Sequence, residues 1–82
     1  MTFDPIPDKD MRAWLKYIEK EYRTKGRPPS IREIQKKFSI SSTSVVNYRL
    51  EKMEHEGYLN REPYVARGLK LTDHGKRFME RR

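Results

Sequence analysis

Cysteine is absent, which excludes disulfides and thiolate metal sites and fits a reducing interior. Glycine is sparse: residues 26, 57, 68 and 75 lie far apart, and scattered glycines do not make a loop that cradles phosphate. Only two histidines occur, His55 and His74. Glu54 and Glu56 flank His55, but adjacent positions of a helix point to different faces, and both histidines read as surface residues. No paired-carboxylate pocket is visible either, so neither a catalytic site nor a metal site is expected. Apolar residues make up only 34% of the chain. No run of them approaches the roughly 20 needed to cross a bilayer. No basic start followed by an apolar stretch reads as a secretion signal. These absences give a soluble intracellular chain as the expectation. Neither enzymatic activity nor a cofactor, membrane or small-molecule substrate is expected of it.

What the chain does have is positive charge. Its 82 residues, room for one domain with one small core, hold 19 basic and 12 acidic side chains, a net charge of +7. Excess positive charge attracts polyanions by releasing their condensed counterions, which makes nucleic acid the first partner to consider. Residues 23–50 carry Arg23, Lys25, Arg27, Arg32, Lys36, Lys37 and Arg49 against the single acid Glu33, which places +6 of the +7 there.

No repeat, low-complexity tract or interdomain linker interrupts the chain. Pro5 and Pro7 make residues 1–7 an irregular arm. A first helix is expected over about 8–25, capped by Asp8, with Met11, Trp14, Leu15, Ile18 and Tyr22 on one face of a 3.6-residue period. Gly26 ends it, and Pro28 and Pro29 keep the following residues extended. Ser30 and Glu33 form a capping box for a short second helix, with Ile31, Ile34 and Phe38 buried and an end near Ser39. Ile40 gives one apolar contact in a tight turn. The third helix starts at Ser41 or Ser42 and runs to Gly57, with Val46, Leu50 and Met53 inward. A turn of 100° per residue then places Ser44, Tyr48, Glu51 and His55 on the opposite side, flanked by Val45 and Asn47.

Beyond Gly57 the period falls to two. Residues 58–61 and 68–71 read as an antiparallel hairpin with Leu59, Leu69 and Leu71 inward and Arg61 and Lys70 outward. Pro63 breaks the loop between them. Thr72 caps a short final helix over the tail 72–82, whose large apolar residues are Phe78 and Met79.

Helix, short helix, turn, longer helix, hairpin and short helix is the order of a winged helix-turn-helix, an α+β fold that is mainly α. In that fold the third helix can enter the major groove, where base edges distinguish all four pairs. Arg27, Ser30, Arg32, Lys36 and Ser42 are then placed for phosphates, with Arg61 and Arg67 at the base of the hairpin tip. Ser44, Val45, Asn47 and Tyr48 are placed for bases; asparagine can pair bidentately with adenine, and valine can touch a thymine methyl. Each assignment has a plainer counterpart. Residues 41–44 can serve as caps, Ser41 and Thr43 above all. Tyr48 can fold back on the protein, and Arg49 can pair with Glu33 or Glu54. The basic residues of the tail can be solvated.

Residues 25–34, Lys-Gly-Arg-Pro-Pro-Ser-Ile-Arg-Glu-Ile, match the G-x-P-P-[ST]-x-R-E-I signature that opens the second helix of LexA-type repressors. Residues 41–44 and 50–54 resemble their recognition helix, and Gly57-Tyr58-Leu59, Arg61-Glu62-Pro63 and Arg67-Gly68-Leu69 fall at the spacing of their wing. The likeness spans about 8–71. It implies a repressor domain that reads an inverted-repeat operator as a homodimer, with base contacts carried over to Ser42, Ser44, Val45, Asn47 and Tyr48. Asn47 and Tyr48 differ from the residues of the best-known members. The family continues into a self-cleaving second domain with a Ser–Lys dyad. The eleven residues after the wing carry instead an L-T-x-x-G motif common in other winged-helix regulators, so self-cleavage is not expected of this chain.

Two other readings compete with duplex DNA in the bacterial nucleoid. RNA shares the counterion argument, but its A-form major groove shuts out a helix, and single-strand readers need exposed stacking aromatics. A protein-interaction module docking a partner through Phe78 and Met79 is the third.

Overall fold

The computed structural model describes residues 8–61 and 68–80. The elements run α1 (Asp8–Lys25), α2 (Ile31–Lys37), α3 (Thr43–His55), β1 (Leu59–Arg61), β2 (Leu69–Leu71) and α4 (Asp73–Glu80), the winged helix-turn-helix order. Met11, Trp14, Leu15 and Ile18 of α1 are buried against Ile34 of α2, Val46, Leu50 and Met53 of α3, and the leucines of both strands.

Tyr22, expected on the same buried face of α1, is instead 50% exposed. Periodicity fixes the face a residue takes, not how far the core extends along the helix axis. Tyr22 sits at the rim of a shallow groove lined by Ile18, Leu69 and Leu71, beyond the packed layers. The neighbouring Glu21 is buried but satisfied, because its carboxylate accepts from Lys25 Nζ at 2.9 Å and from the Tyr17 hydroxyl at 3.4 Å. Gly26 then stops α1 at φ +73°, its N–H donating to the Tyr22 carbonyl at 2.9 Å.

The capping box opens α2 as its sequence requires. The Ser30 hydroxyl accepts from the Glu33 N–H at 3.2 Å, and the Glu33 carboxylate accepts from the Ser30 N–H at 3.1 Å. Ser30→Ala is expected to lower stability by about 1 kcal/mol, read as a lower midpoint in urea; an unchanged midpoint would mean that Glu33 holds the turn without its partner. The helix ends at Lys37, two residues before the expected stop. Ser39 takes φ +54°, and the Ile40 N–H reaches back to the Gln35 carbonyl at 2.9 Å. This is the closure a glycine usually makes, so a serine there gave no sign of it.

α3 begins at Thr43, with Ser42 at the N-cap position but without a side-chain cap bond. Thr43, expected as a cap, donates from its hydroxyl to Gln35 Oε1 at 3.1 Å and so ties α3 to α2. The helix closes at His55, and Gly57 at φ +87° turns the chain into β1.

The two strands pair antiparallel, Leu59 opposite Leu71, Asn60 opposite Lys70 and Arg61 opposite Leu69. Leu59, Leu69 and Leu71 are buried as expected, and Lys70 is exposed. Arg61 is a correction. Opposite residues share a face, and Arg61 stands two residues from Leu59, so it lies on the inner face and not the outer one. It is half-buried where that face meets α3.

α4 packs back on α1. Arg12 lies over the Phe78 ring at 5.3 Å and donates from Nε to the Phe78 carbonyl at 3.4 Å. Tyr58 stacks on His74 at 4.6 Å and touches Phe78 at 4.8 Å. Phe78 and Met79 are half-buried against the core, so much of their apolar surface is committed within the fold.

Candidate nucleic-acid interface

The first two turns of α3 present the proposed base readers. Ser44 is exposed, and Ser42, Val45, Asn47 and Tyr48 are half-buried along the same stretch. Val46 and Leu50, fully buried, fix the helix rotation that turns these residues outward. No acid interrupts the surface until the exposed Glu51. From there the helix changes character: Tyr48, Glu51, Lys52, Glu54, His55 and Glu56 line a second, mixed-charge depression.

On α2, Arg32 and Lys36 stand four residues apart and are both exposed. With Gln35, Ser39, Ile40 and Thr43 they line an open cleft of about 520 Å³ in the elbow between α2 and α3, a wall without a carboxylate. The Ser30 hydroxyl accepts from the Glu33 N–H, which leaves its proton free to be donated outward. Arg27 lies 3.8 Å from Glu33 in a pair open to solvent, the kind of contact that holds a side chain weakly. Arg61 is drawn toward α3, its Nη2 donating to Asn47 Oδ1 at 3.4 Å. Arg67, with the rest of the loop 62–67, lies outside the described residues.

Three features escaped the sequence reading. Arg49, expected to pair with Glu33 or Glu54, places its guanidinium over the Trp14 ring at 5.5 Å. Trp14 in turn stacks on Phe38 at 5.4 Å, Phe38 meets Tyr17 edge-on at 5.7 Å, and Lys37 lies 5.8 Å over Tyr17. These aromatics form an internal stack flanked by cations, not a platform for bases. The third feature is Gln35, which joins the elbow and holds Thr43. Its signal was the spacing Arg32-x-x-Gln35-Lys36, which sets all three on one side of a helix. Among the described residues no group of three His, Cys, Asp or Glu side chains is arranged to hold a metal ion. Among them also, no helix is long and apolar enough to cross a membrane.

A basic elbow beside an outward-turned polar helix, braced by a hairpin, defines a winged helix-turn-helix module. The model of the LexA DNA binding domain matches residues 10–68, and the chain belongs to that family. It is 41% identical over 65 residues to the LexA repressor of Geobacillus sp. (strain WCH70), covering 79% of this chain and 31% of the relative. Against the LexA repressor of Herpetosiphon aurantiacus the identity is 47% over 57 residues, 70% of this chain and 27% of the relative. Against that of Roseiflexus sp. (strain RS-1) it is 49% over 62 residues, 76% and 28%. The chain thus spans less than a third of the length of these relatives. A crystal structure described as that of a hypothetical protein superposes with a TM-score of 0.70 at 28% identity, over 92% of this chain and 23% of the other.

Proposed function

We propose that this chain binds double-stranded DNA in a sequence-specific way and represses transcription, with the first two turns of α3 in the major groove. The observation that carries the reading is the carboxylate-free elbow of Arg32, Lys36 and Thr43 beside the exposed Ser44, with no acid on α3 before Glu51. A duplex presents phosphates to such an elbow and base edges to the helix beside it. Arg27, Ser30, Arg32, Lys36, Arg61 and Arg67 are the phosphate contacts of this account; Ser42, Ser44, Val45, Asn47 and Tyr48 are the base contacts. The relatives named LexA repressor support repression, and in this reading a pair of chains occupies the two half-sites of an inverted repeat. The chain's work is binding, without catalysis, and a duplex partner places it at the nucleoid.

The reading is tested by selecting duplexes from a random pool. Wild-type chain is expected to enrich one sequence, and Asn47→Ala to relax the preference at a single base pair, costing about 1–3 kcal/mol there. A pool left unenriched by the wild type, or an Asn47→Ala variant with unchanged preference in competition binding, would contradict it.

A further inference from the structure

The contact between β1 and α3 bears on how Asn47 reads DNA, and the inference rests on the proposed duplex binding. A guanidinium has donors only, so the amide facing Arg61 must offer its oxygen; the identity of the two amide ends is fixed by chemistry. Arg61 is in turn held in place: it stands opposite Leu69 on the inner face of the hairpin, half-buried, with Leu59 of the core two residues away. The Asn47 oxygen is therefore turned toward a charged donor 3.4 Å away on the protein side, and the amide nitrogen is the end turned away from it.

We infer that Arg61 is a positioning residue for sequence readout: it orients the Asn47 amide so that the NH2 group, a donor, faces the groove. Bidentate pairing with adenine needs both amide ends, the oxygen for N6–H and the nitrogen for N7. The oxygen has two lone pairs, so Arg61 acts by direction and not by using up the acceptor. With the oxygen held toward the hairpin and the nitrogen toward the groove, Asn47 selects a base edge that accepts: guanine N7 or O6, adenine N7, or thymine O4. Removing Arg61 frees the amide to turn and restores the two-ended pairing that favours adenine. The wing thereby shapes specificity from behind the recognition helix, at a base pair it does not itself contact.

The test is duplex selection followed by competition binding with wild type, Asn47→Ala, Arg61→Met, Arg61→Ala and the double variant Arg61→Met/Asn47→Ala. Arg61→Met keeps the stem and Arg61→Ala does not, so whichever of them melts cooperatively is the one read. The expected result is a shift toward adenine at the base pair that Asn47→Ala relaxes, changing its preference by about tenfold. That shift is absent when Asn47 is already alanine. A uniform loss on all duplexes with the preference intact would make Arg61 a phosphate contact only and overturn the inference, while leaving the DNA reading in place. Absence of duplex selection by the wild type overturns both.

Discussion

Gly75→Ala is expected to lower stability by about 3 kcal/mol, at the upper end of the range for overpacking, although it adds a better helix former to α4. A Cβ at this position would overlap the Tyr58 carbonyl oxygen and stand 3.0 Å from its carbon, both backbone atoms. Neither can swing aside. The same oxygen accepts from the Thr72 N–H at 3.1 Å. The Thr72 hydroxyl donates to the Gly57 carbonyl and accepts from the Gly75 N–H at 3.0 Å, which locks residues 72–75 onto the turn after α3. Relief of the clash requires α4 to move outward, and that movement removes Phe78 from Tyr58 and from the Arg12 guanidinium. For a chain of this size the loss corresponds to a fall in Tm of about 12–24 °C, measured by circular dichroism. A variant within about 0.5 kcal/mol of wild type would show that α4 is loosely attached. This explains the L-T-x-x-G motif physically: threonine supplies the cap and the cross-link, and glycine the close approach.

The second large effect concerns charge. The double variant Arg32→Ala/Lys36→Ala is expected to weaken binding to every duplex alike and to reduce the slope of log K against log salt by about 1.8, near 0.9 for each phosphate released. Near 0.1 M salt this corresponds to a loss of about tenfold to a hundredfold in affinity. Both side chains are exposed on α2 and face the carboxylate-free elbow, so their removal leaves the core untouched. A loss confined to particular sequences would reassign one of them to base readout. An unchanged salt slope would place the duplex elsewhere on the molecule.

Much of this arrangement was legible in the sequence because it rests on local chemistry. The Ser30–Glu33 box, the Gly26 stop and the inward leucines of the wing follow from spacing and from the backbone needs of single residues. What sequence spacing missed depends on the environment. Tyr22 has the periodicity of a core residue at a point the core does not reach. The left-handed Ser39 carries no glycine to announce the shortened α2. Arg61 has a charge that suggests solvent and a strand position that points inward; the parity prevails because the guanidinium finds Asn47 at the core's edge. Arg49 likewise finds the Trp14 face, a partner thirty-five residues away in the chain. In the candidate site, the outward stripe of α3 was readable from 100° steps. The elbow bridge from Thr43 to Gln35 was not, because it depends on the angle between two helices.

Service of the basic elbow and α3 to duplex DNA is tested by titrating the chain onto a labelled mixed-sequence duplex and a single-stranded RNA at several salt concentrations. Tighter binding to the duplex is expected, with a steep negative salt dependence equivalent to several released counterions. Equal or tighter binding to the RNA, or no duplex binding at low salt, would contradict it.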